Sequence, residues 1–139
     1  MHATKTESTV SPCGVSLDRL FADATRTGAG GIVAQSCTSD WRKVVPGDVF
    51  VALPELAGKE ENGHLDAREA VARGAQAVVC EEPVPVFDVP TYLVSDSRVA
   101  FGKICQALSD NPSQTIPVIA VTGTHGKSTV VALLEAIFS

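Results

Sequence analysis

The stretch that decides the fold class is VIAVTGTHGKSTVVALLEAIF, residues 118–138. It opens with a continuous apolar run, residues 118–121, of the kind found in strands that are buried on both faces of a parallel sheet. A turn rich in glycine and threonine follows, and from Lys127 to Phe138 the apolar residues recur at helical spacing. The order of strand, glycine-rich turn and helix predicts an α/β protein.

The turn itself, TGTHGKST at residues 122–129, has the composition of a phosphate-binding loop. Glycines let consecutive backbone N–H groups point at phosphate oxygens, and the start of the following helix adds partial positive charge. Lys127 is the candidate catalytic residue, because it would bridge the β- and γ-phosphates, and the Ser128 hydroxyl would complete the shell of a Mg²⁺ ion. The nucleotide contacts predicted from this pattern are the backbone of Gly123 and Gly126 and the side chains of Lys127, Ser128 and Thr129. The general pattern G-x-x-x-x-G-K-[ST] is not met in full, since Val121 replaces its first glycine, and the alternative is a turn that binds nothing.

Outward from this stretch, the preceding chain alternates helices and strands. We predict a helix from Leu17 to about Ala24 with Ser16 as its N-cap, and a helix that is capped by Asp96 and ends near Leu108. Between them the sequence predicts strands at residues 32–34, 49–53, 77–80 and 91–94, a turn at residues 46–48, and a helix at residues 63–73. Residues 111–117 contain two prolines and are predicted to link two domains.

The composition excludes several classes of protein. The chain has 139 residues and a formal net charge of −5, without the basic stripe that a double-stranded nucleic-acid binder needs. No apolar stretch is long enough to span a bilayer, so we expect no membrane partner and a cytoplasmic location. The four cysteines are far apart in sequence and are interpreted as reduced structural residues, and the pairs 60–61 and 81–82 of glutamates as solvated loop charges.

Several segments together resemble the Mur ligase family. Residues 122–129 resemble the ATP-binding loop of these enzymes, and residues 40–53, DWRKVVPGDVFVAL, resemble the pattern D-S-R-x-V-x-P-G-D-L-F-V-A-L of their N-terminal domain. Residues 62–64 (NGH), 74–79 (GAQAVV) and 94–98 (VSDSR) resemble further elements of that domain. The resemblance covers roughly residues 15–139, and it is greatest to the members that add diaminopimelate or lysine.

The resemblance implies a fold, an activity and a division of the chain. It implies a small α/β domain at residues 15–112 that binds the UDP-muramoyl substrate, and at residues 113–139 the first strand, P-loop and helix of a truncated ATPase domain. Residues 1–14, which are rich in serine and threonine, are predicted from their composition to be a disordered tail. The implied reaction joins an amino acid to a UDP-N-acetylmuramoyl-peptide in peptidoglycan precursor synthesis, with ATP and Mg²⁺, through an acyl-phosphate. Carried over position by position, the resemblance implies that Gly123, Thr124, His125, Gly126, Lys127, Ser128 and Thr129 contact ATP. Ser39 and Trp41 align with positions that contact the UDP-substrate, and the loop around Gly58 and Lys59 is a further candidate contact.

Three alternatives stay open at this point. Trp41 stands where the family pattern has a small hydroxyl residue, so its ring could stack on a uracil or could block the site. The chain could be a non-catalytic module that binds a UDP-sugar or phosphate, or part of the related ligase that adds D-Ala-D-Ala. Because one strand and one helix do not make a sheet, we expect no turnover by this chain alone, and we expect the apolar C-terminal helix to pack on the first domain or on a second copy.

Overall fold

The computed structural model describes residues 14–54, 63–85 and 88–138, with no side-chain description for residues 63–65. Its helices are α1 (Leu17–Leu20), α2 (Gly63–Ala72), α3 (Ser97–Leu108), α4 (Pro112–Thr115) and α5 (Lys127–Phe138), and a 3₁₀ helix covers Trp41–Lys43. Its strands are β1 (Val15–Ser16), β2 (Thr25–Thr27), β3 (Val33–Ala34), β4 (Cys37–Thr38), β5 (Val49–Val51), β6 (Ala77–Cys80) and β7 (Thr91–Leu93). The prediction of an α/β protein is confirmed.

The main sheet has five strands in the order β2-β7-β6-β5-β4. Strands β4 to β7 run parallel, with Cys37 opposite Val49, Val49 opposite Ala77 and Val78 opposite Thr91. Strand β2 pairs antiparallel with β7 at the far edge, and β1 and β3 form a separate two-stranded ribbon. The carboxyl ends of four strands therefore meet along one edge of the sheet.

Helices cover both faces of this sheet, which explains why its strands are apolar without alternation. On one face, alternate residues such as Val49, Val79 and Tyr92 pack with Leu17 of α1 and Ile104 of α3. The residues between them in sequence point to the other face. There, Phe50 and Val78 pack with Ala67 and Ala70 of α2. All of these residues except Tyr92, which is 1% exposed, are fully buried.

The amino ends of the parallel strands are held by two glycine turns. Gly47 and Gly74 both have positive φ, of 94° and 103°, and the N–H of Gly47 donates to the carbonyl of Gly74 at 2.9 Å. The side-chain amide of Gln76 donates to the carbonyls of Gly47 at 2.6 Å and Val33 at 3.1 Å. The buried Asp48 carboxylate accepts from the Ser36 hydroxyl and the Val45 N–H. These residues of the 46–48 and 74–76 segments are structural.

Most predicted elements are confirmed, with changes of one to three residues at the ends of several. Helices α2 and α3 and strands β5, β6 and β7 lie where the sequence pattern placed them, and the Asp96 carboxylate caps α3 by accepting from the Val99 N–H at 2.8 Å. The strand predicted at residues 32–34 corresponds to β3, which begins one residue later and covers Val33–Ala34. Residues 1–13 of the predicted tail lie outside the described part of the chain.

The predicted length of the first helix is wrong. Helix α1 begins at Leu17 with Ser16 at its N-cap position, as predicted but without a side-chain capping hydrogen bond, and it ends at Leu20 instead of near Ala24. The chain then turns into β2, because Arg26 and neighbouring backbone pair with β7 instead of continuing the helix. The sequence also missed β4, whose two residues carry no detectable alternation.

The predicted strand at residues 118–121 is also wrong. Among the described residues no strand pairs with this segment, and Val118 and Ile119 are 69% and 60% exposed. An extended segment becomes a strand only when a neighbour completes its hydrogen bonds. The apolar run has the composition of a buried strand, but the described part of the chain offers it no sheet.

Candidate functional site

The first candidate site is the carboxyl edge, which we define as the residues that follow β4, β5, β6 and β7. In open α/β sheets, ligands bind outside the carboxyl ends of the parallel strands. Two of the predicted substrate residues, Ser39 and Trp41, lie there, directly after β4. The other two, Gly58 and Lys59, lie outside the described residues. The structure therefore places half of the predicted substrate set at one edge and describes nothing of the rest.

Thr38 and Asp40 shape the turn that presents Ser39. The Thr38 hydroxyl accepts a hydrogen bond from the Asp40 N–H at 3.2 Å, and the Asp40 carboxylate accepts from the N–H and Nε of Arg42 at 3.0 and 3.1 Å. These bonds, the backbone one first, lower the pKa of Asp40 below its ordinary value. Both ends of the turn are thus fixed, while Ser39 itself is half-buried.

Trp41 begins the 3₁₀ helix and leans towards helix α2. Its half-buried ring packs against the core cluster that contains Phe50 and Ala70. The guanidinium carbons of Arg42 and Arg73 lie 5.9 and 5.7 Å from the ring centroid, within the range of cation–π attraction. The ring is therefore part of the α2 interface. Arg42 lies beside it on the segment that follows β4, whereas Arg73 follows the C-terminal end of α2, towards the amino ends of the strands.

Two further contacts tie the carboxyl edge together, and the sequence analysis missed both. The Glu81 carboxylate, just after β6, accepts from the N–H and the hydroxyl of Ser97, each at 2.8 Å. The interpretation of Glu81 as a solvated loop charge is thus wrong, because the first turn of α3 supplies it with buried donors. Arg98 Nη2 donates to the carbonyl of Pro54 at 2.9 Å and so holds the chain that leaves β5. In the sequence, the position of Glu81 directly after a predicted strand could have indicated that it lies at the carboxyl edge.

The second candidate site is the phosphate loop, residues 122–126, with the start of α5. Gly123 and Gly126 both have positive φ, of 148° and 78°, as a curled loop requires. Helix α5 begins at Lys127, whose ammonium group donates a hydrogen bond to the carbonyl of Gly123. All seven predicted nucleotide contacts, from Gly123 to Thr129, are exposed, and Ser128 and Thr129 lie in the first helical turn.

The phosphate loop is flanked by apolar surface that the described residues do not cover. No residue of α5 is buried, and Ile137 and Phe138 are 73% and 72% exposed. At roughly 1.5–3 kcal/mol for the burial of each large apolar side chain, this exposure forgoes a large stabilisation. The loop thus has the local backbone form of a phosphate site without a surrounding sheet among the described residues.

No helix in the described ranges is both long enough and apolar enough to cross a membrane.

Comparison with curated proteins finds relatives that carry the same enzyme name. The chain is 45% identical over 98 residues to a UDP-N-acetylmuramoyl-L-alanyl-D-glutamate–2,6-diaminopimelate ligase of Geobacillus kaustophilus, a match that covers 70% of this chain and 19% of that enzyme. It is 31% identical over 127 residues to the enzyme of the same name from Phocaeicola vulgatus, covering 90% of this chain and 24% of the relative. The chain thus spans about a fifth to a quarter of the length of these relatives. A scan against protein-family models found no match.

Solved structures show the same architecture. A ligase named MurF from Acinetobacter baumannii matches with a TM-score of 0.63 and 26% identity, over 88% of this chain and 26% of that one. A UDP-N-acetylmuramoylalanyl-D-glutamyl-2,6-diaminopimelate–D-alanyl-D-alanyl ligase from the same organism matches over 94% of this chain and 29% of that one, with a TM-score of 0.65 and 24% identity, which supports the fold alone. From its sequence relatives and its fold, the chain belongs to the Mur ligase family, of which it carries a part.

Proposed function

We propose that this chain is the substrate-binding part of an ATP-dependent ligase that adds an amino acid to a UDP-N-acetylmuramoyl-peptide in peptidoglycan synthesis. The observation that carries the proposal is the 45% identity to a UDP-N-acetylmuramoyl-L-alanyl-D-glutamate–2,6-diaminopimelate ligase over 98 residues. We assign substrate binding to residues 15–112 and nucleotide binding to residues 113–139. The absence of any buried residue among the described positions 113–138 supports a boundary near residue 112.

The carboxyl edge suits a uridine nucleotide on chemical grounds. Ser39 offers a hydroxyl at the end of β4, and Arg42, three residues further on, places positive charge beside Trp41. A diphosphate needs cationic or N–H donors, and arginine meets phosphate with two parallel hydrogen bonds. Since Trp41 already packs against α2, we propose that it supports the edge and that Ser39 contacts the substrate.

The phosphate loop fits ATP with Mg²⁺. A Cβ atom built on Gly126 meets nothing within 4 Å, and at Gly123 it meets only the His125 carbonyl at 3.7 Å, so the space beside the loop is open. Bound ATP would supply the phosphoryl group that activates a substrate carboxylate. Lys127 would exchange its hydrogen bond to Gly123 for one to phosphate and neutralise charge there, while Ser128 would hold the metal and the start of α5 would orient the phosphates.

The two sites are expected to behave differently in this chain. The carboxyl edge is backed by a complete sheet with helices on both faces, whereas the phosphate loop follows an unpaired segment at residues 118–121. Preorganisation of donors decides how much binding energy is left after ordering costs. We therefore expect the chain to bind the UDP-substrate and to bind Mg-ATP weakly or not at all.

Isothermal calorimetry tests this proposal directly. The chain is titrated with UDP-N-acetylmuramoyl-L-alanyl-D-glutamate and, separately, with Mg-ATP, and Ser39→Ala serves as the site variant. Binding of the first ligand that is weakened at least tenfold by Ser39→Ala, with little heat from Mg-ATP, is the expected result. Equal binding of both ligands, or substrate binding that Ser39→Ala leaves intact, contradicts it.

The same titration separates the two ligases that the fold allows. A member that adds the third residue takes a muramoyl-dipeptide, whereas the D-Ala-D-Ala-adding ligase takes a muramoyl-tripeptide. Because the sequence relatives are diaminopimelate-adding ligases, we expect the dipeptide to compete at least as well as the tripeptide. Binding of UDP-N-acetylglucosamine with equal affinity would instead favour a general UDP-sugar module.

A further inference from the structure

Two cysteines that lie 68 positions apart in sequence meet in the fold. The Sγ atoms of Cys37, on β4, and Cys105, on α3, are 3.7 Å apart. We propose that Cys37 and Cys105 are an oxidative modification site, at which peroxide forms a reversible disulfide that ties helix α3 to strand β4. This inference does not depend on the proposed ligase activity.

The geometry allows the bond without a change of fold. A disulfide has an S–S distance of about 2.0 Å, so the two sulfurs, now 3.7 Å apart, need to approach by less than 2 Å. Helix α3 already packs against β4, and its Ile104, next to Cys105 in sequence, is fully buried in the same core cluster. The backbone positions are therefore set by packing that does not involve the thiols.

Exposure distinguishes this pair from the other described cysteine. Cys105 is exposed and Cys37 is half-buried, whereas Cys80 is fully buried on the opposite face of the sheet. A dissolved oxidant reaches exposed thiols first. We therefore expect peroxide to react with Cys105 first, and the neighbouring Cys37 to act as the resolving cysteine.

The reaction balances in two steps. The Cys105 thiolate attacks one oxygen of a hydroperoxide such as hydrogen peroxide, breaks the O–O bond and becomes a sulfenic acid, with hydroxide as the leaving group. The Cys37 sulfur then attacks the sulfenic sulfur, the S–O bond breaks, and the oxygen leaves as water after taking the proton of the Cys37 thiol. Two thiols are oxidised by two electrons, and the peroxide is reduced to two waters.

The environment of Cys37 affects the rate of the second step, in which the disulfide closes. Burial, and next its hydrogen bond with Cys105, raise the pKa of the Cys37 thiol to about 12. Since the thiolate is the stronger nucleophile, closure is expected to be slower than with an ordinary thiol, which leaves time for a trapping reagent to capture the sulfenic acid. A dimedone adduct on Cys105 would report that state.

The bond would act on the strand that carries the substrate residues. Among the described strands β4 is the last of the main sheet and pairs only with β5, and Ser39 follows it directly. A cross-link from β4 to α3 would restrain this edge in the folded state and shorten the unfolded chain. Oxidation is therefore expected to raise the melting temperature by about 8–16 °C.

Peptide mapping of the wild-type chain tests the pair without any mutation. The folded protein is treated with hydrogen peroxide, free thiols are blocked with iodoacetamide, and the protein is digested with trypsin. Cleavage at Arg26, Arg42, Lys103 and Lys127 isolates Cys37 in residues 27–42 and Cys105 in residues 104–127. The expected product is the link between these two peptides, which dithiothreitol removes.

Two controls make the result specific. The Cys80→Ala variant should keep the link, and the Cys37→Ser variant should lose it and accumulate the dimedone adduct on Cys105. Oxidation in 8 M urea should scatter the links among all four cysteines. A native sample in which the two peptides are oxidised or alkylated separately, or in which the links are as scattered as in urea, overturns the proposal.

Discussion

The carboxylate of Glu81 receives both hydrogen bonds that Ser97 can donate, one from the backbone N–H and one from the hydroxyl, each at 2.8 Å. Ser97 is fully buried at the first residue of α3, so neither donor has water as a substitute. A strand end and a helix start are thereby fixed to each other at the carboxyl edge.

Loss of this acceptor should destabilise the fold. We expect Glu81→Ala to lower the free energy of unfolding by about 1–3 kcal/mol, because it leaves buried donors unsatisfied, and Ser97→Ala to lower it by about 1 kcal/mol. The exposed neighbour Glu82 is the matched control, and Glu82→Ala should stay within about 0.5 kcal/mol of wild type. Urea denaturation measures all three, and an equal effect at positions 81 and 82 would refute the assignment.

The Asp18 network predicts a loss of stability in acid. The Asp18 carboxylate accepts from the Gly31 N–H at 2.7 Å, the Tyr92 hydroxyl at 2.8 Å and Arg26 Nη1 at 2.8 Å, and these bonds, in that order, lower its pKa to about 2 from an ordinary 3.8. A depressed folded-state pKa contributes stability that is present above pH 3.8 and is lost as the pH falls towards 2.

The measurement is the melting temperature between pH 5 and pH 2. Wild type should lose more of its melting temperature over this interval than Asp18→Asn, which has no carboxylate to titrate. Asp23→Asn, at an exposed carboxylate on the turn after α1, is the control and should follow the wild-type curve. Parallel curves for wild type and Asp18→Asn would show that the network is not formed.

Tyr92 gives the opposite pH dependence at the alkaline end. Burial, and then its hydrogen bond to Asp18, raise the pKa of Tyr92 to about 12. Because the folded state holds the proton more tightly, the contribution is complete below the ordinary pKa of 10 and is lost as the pH rises towards 12. Tyr92→Phe should remove this part of the alkaline loss of melting temperature, while an unchanged slope would contradict the contact.

Replacing Gly74 or Gly102 by alanine should have opposite effects on the stability of the protein. Gly74 has φ of 103°, and a Cβ atom there would lie 3.0 Å from Cα and 3.2 Å from Cβ of Pro46. Gly74→Ala should therefore destabilise the protein by about 2 kcal/mol. Gly102, in the middle of α3, has open space around it, and Gly102→Ala should stabilise by about 0.5–1 kcal/mol. Changes of the same sign in thermal unfolding would refute this distinction.

Trp41 is the only tryptophan of the chain and reports on the carboxyl edge. Binding of a UDP-muramoyl ligand should change its fluorescence, since Arg42 lies beside the ring and would reorient towards phosphate. Mg-ATP should leave the emission unchanged, because the phosphate loop is a separate exposed segment. Calorimetric binding of the UDP-ligand without a spectral change would place that ligand elsewhere.

The sequence predicted the parts of the fold that depend on local patterns. The Asp96 cap and the apolar residues of α3 determine that helix within a few residues, and the continuous apolar composition of β6 reflects burial on both faces. Strands β2 and β4 could not be predicted, because their two or three residues are strands only through pairing with distant partners. The Asp18–Tyr92 bond spans 74 positions, a separation that no local pattern encodes.

For the candidate site, the sequence identified the phosphate loop as a local motif, and the glycine angles agree with it. The predicted strand before the loop is wrong because the prediction rested on apolar composition alone. Apolar composition reports that residues 118–121 suit a sheet interior, and only long-range pairing decides whether a sheet is present. The roles of Ser39, Trp41, Lys127 and Ser128 stay predictions until ligands are measured.

The contact of Gly74 with Pro46 and the amide of Gln76 on Gly47 lie at the opposite end of the strands from Ser39. The segments at residues 46–48 and 74–76, which are part of the family resemblance, therefore position the strands from the end opposite to Ser39. A homology search anchored on residues 46–48 and 74–76 would gather chains that share this architecture, whatever sugar nucleotide each one handles. Sorting those chains by specificity requires comparing the position of Ser39, since its neighbours Thr38, Asp40 and Trp41 are held by hydrogen bonds and packing.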